Sequence, residues 1–373
     1  MKADSIGLYV HIPFCVRKCA YCDFCSFPPE KYADKKRYIS ALCDEIADYR
    51  DAGATLDTVF FGGGTPTLLD GEEFAQIFRA IRKSFKISPD AEITMEANPK
   101  TMTRENLGAY ISEGVNRFSI GLQSIHKNEL KMLGRIHLYD DFLESYKLLR
   151  EFSINNVNVD LMYGIPSQTA ESFSATLDAV TALNPEHISL YSLILEEGTP
   201  LWKRRDALKF PSDDEDTDMY FSAVDKLASC GYRHYEISNY AMPDRESRHN
   251  LKYWRDEQYI GVGLSAYSYF NGMRYGNTSN MENYIGGFFE RPTTAETIDN
   301  ATEAYEYVML ALRLADGFSL SEYRARFGED FLKTRRDVVD RLLKMGYADI
   351  RAGRFFLTDS GMYVSNAILC ELI

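Results

Sequence analysis

The sequence predicts an α/β fold in which six βα units build a parallel sheet and a small helical domain follows. Three patterns carry that prediction. Strand-like and helix-like segments alternate through the first half, an aromatic loop-rich stretch begins near residue 232, and helical periodicity resumes near residue 297. Alternation of this kind places helical crossovers between parallel strands. Six units suit either a partial barrel or an open doubly wound sheet.

SIGLYVHI reads as the first strand. Residues 32–49 read as an amphipathic helix, with Tyr38, Leu42 and Ile46 on one face. The strand DTVFFGG, the helix EEFAQIFRAIRKSF and the strand EITMEA come next. A helix over 103–111 follows, then the strand RFSIGLQ, helices near 127–133 and 139–152, and the strand NVNVDLMYG. A helix near 170–183 and the strand HISLYSLIL complete the six units, and a further helix covers 216–230. The stretch 232–277 is rich in Tyr, Asn and Gly and reads as loop that packs across a barrel mouth or touches a ligand. Helices over 301–314, 319–327 and 331–345, the hairpin YADIRAGRFFLT and a last helix resemble a winged-helix module. The expected division is 1–231, 232–296 and 297–373.

The chain has 373 residues, 45 % of them hydrophobic and 26 % charged, enough for a sizeable core. Its formal net charge of -13 repels phosphate backbones, so nucleic acid is not an expected partner and the winged-helix-like module is not read as a DNA binder. No apolar run approaches the roughly 20 residues that span a bilayer. With no signal-peptide pattern at the start, a cytoplasmic location is expected.

Seven cysteines are too few for a disulfide scaffold, and Cys15, Cys19, Cys22 and Cys25 crowd into one short segment. That clustering reads as metal binding, while Cys43, Cys230 and Cys370 read as buried small hydrophobes. Cys15, Cys19 and Cys22 form C-x3-C-x2-C, soft ligands suited to an iron–sulfur cluster or to zinc. A closed zinc site needs a fourth ligand, which Cys25 or His11 would supply. Against zinc, the cluster follows the first strand of a βα fold, where barrel enzymes place their chemistry, and no second cysteine pair exists to complete a knuckle.

C-x3-C-x2-C after a strand, with Tyr21 before the third cysteine, resembles the signature of the radical S-adenosylmethionine (SAM) superfamily. The resemblance implies a partial (β/α)6 TIM-like barrel. It also implies a 4Fe–4S cluster on Cys15, Cys19 and Cys22 whose fourth iron binds SAM. Further positions fit. Gly62-Gly63-Gly64-Thr65-Pro66 follows the second strand, and glycines let backbone approach a ligand. In the family this motif meets the methionine amino group, which assigns Gly63, Gly64 and Thr65 to SAM. Glu96 ends the third strand, where an acidic group reaches the ribose or the ammonium of SAM, though alone it would read as a solvated residue. Tyr9, Gln123, Arg135 and Asp160 match SAM- and cluster-contacting positions of the coproporphyrinogen-dehydrogenase-like branch, and GLQSIHKNELKMLGRIH and NVDLMYGIPSQT are close to its pattern. Arg135 is expected to pair with the SAM carboxylate through two parallel bonds.

That branch holds coproporphyrinogen III dehydrogenases and haem chaperones of the HemW type, and three features favour the chaperones. Phe24 stands where the dehydrogenases have an added cysteine, and Tyr9 is almost at the start, without their long N-terminal extension. His249-Asn250-Leu251-Lys252-Tyr253-Trp254 matches the chaperones' HNxxYW motif and follows their YEISNYA string. By composition alone His249 would be a core histidine beside a packing pair. By the resemblance His249, Tyr253 and Trp254 contact haem. Cys25 and Tyr267 depart from the pattern, where Asn and His are usual, and Tyr267 is a candidate to replace the missing His. The resemblance implies haem, haem-accepting respiratory enzymes and a flavodoxin- or ferredoxin-type electron donor as partners. Coproporphyrinogen III oxidation is the alternative activity.

Overall fold

The computed structural model describes residues 5–28, 34–287 and 294–372. Residues 1–4, 29–33, 288–293 and 373, which include the first two positions of the helix expected over 32–49, lie outside that description. Six strands follow one another and pair in parallel: β1 (Ser5–Ile12), β2 (Thr55–Gly63), β3 (Lys86–Ala97), β4 (Arg117–Gln123), β5 (Val157–Tyr163) and β6 (His187–Ser192). Their crossovers are α1 (Lys35–Asp48), α2 (Gly71–Ser84), α3 (Arg104–Ser112), α4 (Lys127–Met132) with α5 (Tyr139–Glu151), and α6 (Ala170–Thr181). This is the expected partial (β/α)6 arrangement, and α7 (Asp213–Ser229) follows it. Helix starts are encoded locally. Asp70 and Glu73 satisfy each other's backbone N–H groups at α2, as Ser212 and Glu215 do at α7.

A strand sends alternate side chains to opposite faces, and here the two faces differ in chemistry. Leu8, Val10, Val59, Phe61, Ile93, Met95, Phe118, Ile120, Val157, Val159, Ile188 and Leu190 are buried on the outer face. They pack under Leu42, Phe74, Leu107, Phe142, Phe173 and Leu227 of the helices in one core. The inner face is polar from β3 onward. Glu96 pairs in register with Ser119, Ser119 with Asn158, Asn158 with His187, and Asp160 with Ser189.

The stretch expected to be loop instead carries five short strands and a helix: β7 (Arg233–Glu236), β8 (Asn239–Ala241), then α8 (Arg248–Trp254), β9 (Tyr259–Val262), β10 (Tyr267–Phe270) and β11 (Met273–Gly276), with α9 (Met281–Ile285) and β12 (Thr294–Thr297) beyond. Strands of three or four residues are too short to show a period of two, which is why the sequence reads as loop. β8 pairs antiparallel with β6 and β9 pairs parallel with β1, so these strands flank the barrel on both sides in one twelve-stranded sheet.

Glu45 of α1 ties the β9 side to the barrel. It is buried, and it accepts from Gly263 N at 2.8 Å, from Asn277 Nδ2 at 2.6 Å and from the Tyr284 hydroxyl. Burial pushes its carboxyl up to about 7 although these donors pull the other way.

The last part builds its own core around Val308, Phe318, Tyr323, Phe331 and Phe355. It comprises α10 (Asn300–Ala311), β13 (Phe318–Ser319), α11 (Leu320–Phe327), α12 (Phe331–Thr334), α13 (Arg336–Met345), β14 (Ala348–Arg351), β15 (Arg354–Leu357), α14 (Asp359–Tyr363) and α15 (Ser365–Leu372). The helix expected over 331–345 breaks at Arg335. The hairpin and the strand β13 complete the winged-helix-like module. Two backbone bonds join it to the β7–β8 turn, Ile237 N to Arg313 O at 2.8 Å and Ala315 N to Tyr235 O at 3.0 Å. Cys370 is exposed and Cys43 and Cys230 are half-buried, so none of the three is the fully buried hydrophobe expected.

The raised pKa of Glu45 sets a pH dependence. The folded state holds its proton up to about pH 7, against an ordinary 4.5, so this contribution is full below 4.5 and is lost as pH rises through 7. Glu45→Gln should flatten that loss, which amounts to about 3 kcal/mol in wild type, in urea midpoints measured across the range.

Candidate functional site

A cavity of about 540 Å³ occupies the inside of the half-barrel. Cys15, Cys19 and Cys22 line it, on the loop that leaves the C-terminal end of β1. The loop is pinned by backbone bonds from Cys15 N to Phe27 O (2.9 Å) and from Phe27 N to Pro13 O (2.7 Å). Burial pushes the Cys15 thiol up and the Cys22 thiol up to about 11. Cys25 does not join them. It lines a separate cleft beside Tyr267 and Tyr259, and its thiol donates to Ser279 O at 3.9 Å. Among the described residues no three His, Cys, Asp or Glu side chains gather closely enough to share a single metal ion. The three thiols on the cavity wall would suit an iron–sulfur cluster, each thiolate holding one iron.

Donors to the sulfurs come from one connected network. Thr65 Oγ1 donates to Cys15 Sγ at 3.6 Å and accepts from Asn98 Nδ2 at 2.7 Å. Arg135 donates to Cys19 Sγ at 3.4 Å, to the Asn98 amide oxygen and to Gly121 O at 2.6 Å. Asn98 therefore orients the donors to two of the three sulfurs. The motif Glu96-Ala97-Asn98-Pro99 contained it, but attention to charge singled out Glu96 alone.

The other SAM candidates converge as expected: Tyr9, Gly63, Gly64, Thr65, Glu96, Gln123, Arg135 and Asp160 all line the cavity. Two of their buried polar atoms, Gln123 Oε1 and Arg135 Nε, have no hydrogen-bond partner among the described residues. Such atoms beside the thiols fit a polar ligand there. Arg135 does not offer the two-bond fork expected for a carboxylate, because its terminal nitrogens serve Cys19, Asn98 and Gly121. The glycines also have a packing reason, beside the ligand approach expected of them. A Cβ on Gly64 would lie 2.7 Å from Phe14 O and 2.8 Å from Ile12 O, and one on Gly63 would lie 2.4 Å from the His11 ring. Close packing of β2 on the cysteine loop enforces them; Gly63 also has a φ of 106° and donates its N–H to Glu96 at 3.1 Å.

Glu96 and Asp160 face the same interior. Burial first, and Asp160 second, push Glu96 up to about 8; Gly63 N–H and Arg117 oppose this. Asp160 is also raised by burial, although it accepts from Asn158 Nδ2 at 2.7 Å and from Ser119 at 3.3 Å. Arg117, Ser119, Asn158, Ser189 and Tyr191 of the lining were not singled out from sequence. Their signal is polarity at alternate positions of otherwise apolar strands.

The HNLKYW segment is α8, and it closes the floor of this cavity. His249 is 1 % exposed. Its Nδ1 bonds Thr58 Oγ1 at 2.8 Å, its Nε2 bonds the Tyr253 hydroxyl at 2.8 Å, and its ring stacks on Phe60 at 5.3 Å. Its backbone N–H donates to Glu92 at 3.2 Å. Burial, with Lys252 and Arg117 nearby, pushes the imidazole down to about 3. Both ring nitrogens are thus bonded within the chain, and His249 lines the cavity at its floor. Trp254 does not line the cavity; it lies under Arg313 of the C-terminal domain at 5.4 Å. Tyr253 lines both the cavity and the second cleft, and Tyr267, 52 % exposed, lines the second cleft alone.

Comparison with known proteins agrees with this geometry. Residues 9–180 match the model of the Radical SAM superfamily, and residues 298–364 match that of the HemN C-terminal domain. A protein of Synechocystis named heme chaperone HemW is 36 % identical over 328 residues, covering 84 % of this chain and 79 % of the relative. Proteins of the same name from Escherichia coli and Bacillus subtilis are 34 % and 33 % identical, covering 99 % and 96 % of this chain and 98 % and 97 % of theirs. Among solved structures, coproporphyrinogen III oxidase (HemN) from Escherichia coli superposes with a TM-score of 0.87 at 23 % identity, covering 99 % of this chain and 90 % of that one. At that identity the likeness is one of fold.

Two outcomes follow from the site. Asn98→Ala should loosen the donors to Cys15 and Cys19 and speed loss of a reconstituted cluster to chelator by about tenfold, followed by absorbance. His249→Ala should cost about 3 kcal/mol in urea unfolding, since it leaves Thr58 and Tyr253 unpaired. The imidazole is neutral when folded, so its contribution is full above pH 6.5 and is lost as pH falls toward 3. The wild type should therefore weaken on acidification more steeply than the variant.

Proposed function

Because the chain belongs to the heme chaperone HemW family of radical SAM proteins, we propose that it is a haem carrier. In this reading it holds a 4Fe–4S cluster and SAM inside the barrel, binds haem, and delivers the haem to haem-dependent enzymes, respiratory ones among them, in the cytoplasm. The cluster, when bound, supplies an electron for cleavage of SAM. The chain's own residues do the rest. Cys15, Cys19 and Cys22 hold the irons, and Thr65 and Arg135 donate to sulfur and steady the thiolate charge. Gln123 Oε1 and Arg135 Nε take the polar end of SAM, and Tyr9, Gly63, Gly64, Glu96 and Asp160 enclose the remainder.

The observation that carries the carrier reading is the size and closure of the cavity. About 540 Å³ above a sealed floor is room for one cofactor-sized ligand. Oxidation of a tetrapyrrole would require the substrate beside SAM in that same space; a carried haem binds at its mouth. The mouth suits such a plate. Val16, Phe24, Ile136, Tyr191 and Ile194 line it and are 41–66 % exposed, an apolar rim around a polar interior. Phe24, at the position where dehydrogenases have an added cysteine, is 64 % exposed there.

Titration of haem into the cluster-loaded protein should give saturable binding at one site, and Phe24→Asp with Ile194→Asp should weaken it by about tenfold by placing charge against an apolar ring. Anaerobic incubation with coproporphyrinogen, SAM and reductant should yield no protoporphyrinogen. Absence of haem binding, or formation of protoporphyrinogen, would overturn the reading.

A further inference from the structure

The strand RFSIGLQ opens with a charge, Arg117, and its side chain points into the barrel on the same face as Ser119. Arg117 is 2 % exposed and lines the cavity. A guanidinium keeps its charge at any ordinary pH, so burying it without a counter-charge is costly. Yet its Nε has no hydrogen-bond partner among the described residues. Nor does it form an ion pair among them, unlike the half-buried Arg150, which meets Glu186 at 3.0 Å. The cavity carboxyls within reach of its field accept from other donors. Asp160 takes Asn158 Nδ2 and Ser119, and Glu96 takes the Gly63 N–H.

A second orphan stands beside it. Thr94 of β3 pairs in register with Arg117, on a strand about 4.8 Å away, and shares the inner face with Glu96. Thr94 is wholly buried, and its Oγ1 also lacks a partner among the described residues. The histidines at this level offer no negative charge. His187 and His249 are bonded within the chain, and burial together with the Arg117 charge pushes both imidazoles down. A fixed cation and a free hydroxyl thus sit side by side at the closed end of the cavity.

We propose that Arg117 and Thr94 form a subsite for a short-chain carboxylate at the floor of the cavity. The planar fork of a guanidinium matches the two oxygens of a carboxylate. One cation balances one negative charge, whereas a phosphate dianion would leave a charge uncompensated in a dry interior. The subsite is separate from the seat of SAM. Gln123 and Arg135, which hold the polar end of SAM in the reading above, belong to the other end of β4, with Gln123 roughly 20 Å from Arg117 along an extended strand. That separateness rests on the placement of SAM; the subsite itself stands on Arg117 and Thr94.

Acetate is titrated calorimetrically into the cluster-loaded full chain at constant ionic strength, with chloride and inorganic phosphate as comparisons. Wild type should bind one acetate saturably. Arg117→Gln should abolish binding, Arg117→Lys should weaken it about tenfold by losing the fork, and Thr94→Val should weaken it about threefold. Acetate should raise the urea midpoint of wild type but not of Arg117→Gln. Without acetate the Gln variant should be no less stable than wild type, since it removes an unpaired buried cation. Equal acetate binding by wild type and Arg117→Gln would overturn the proposal, as would saturation by chloride at the same concentrations or binding of phosphate alone. A Gln variant weaker than wild type without acetate would also overturn it, by assigning Arg117 to balancing Asp160 and Glu96. SAM should bind equally well with and without acetate, and one-for-one competition would hand the subsite to SAM. No arm involves haem, so failure here is distinct from failure of haem carriage.

Discussion

A polar group enclosed by protein needs a partner, and the interior of this half-barrel is lined with such groups. Glu96, Arg117, Ser119, Asn158, Asp160, His187 and Ser189 all point away from the helices, as strand alternation requires. Below, much of the need is met within the chain: Asn158 bonds His187 Nδ1 at 2.6 Å and His187 Nε2 bonds the Tyr235 hydroxyl at 2.8 Å, while Arg117 Nε has no partner among the described residues. Above, toward the cysteines, Gln123 Oε1 and Arg135 Nε also lack partners among the described residues, which fits a polar ligand there.

The sequence revealed the parallel units, the three cysteines of the β1 loop and the residues that meet them on the cavity wall because each leaves a local pattern. Long strands alternate in hydrophobicity, and the cysteines keep a fixed spacing on one loop. What stayed hidden depends on tertiary placement. Asn98 is an ordinary residue until Arg135 and Thr65 arrive beside it from other units. The strands β7 to β11 have no readable period, and only pairing to β6 and β1 makes them strands. The direction of the Cys25 side chain, away from its three neighbours, is likewise absent from the spacing.

The histidine motif is the instructive case. Motif and composition gave opposite roles for His249, haem contact against core residue. The geometry supports the core role, since Thr58 and Tyr253 hold its two nitrogens and Phe60 its face. Gly7 permits this closure: a Cβ there would stand 3.1 Å from the His249 ring and 3.1 Å from the Lys252 side chain. The motif thus shapes the floor of the cavity as well as lining it.

The pairing of β9 with β1 also has a temporal consequence. Gly7 to Val10 bond to Tyr259 to Val262, so the strand that presents the cysteine loop gains its outer neighbour only after most of the chain exists. At about 5–20 residues per second, a ribosome takes on the order of tens of seconds to make the intervening chain. Until then β1 is an open edge and the Glu45 carboxylate waits for Gly263 and Asn277. The cysteine loop thus emerges early but acquires its finished support only once β9 has been made.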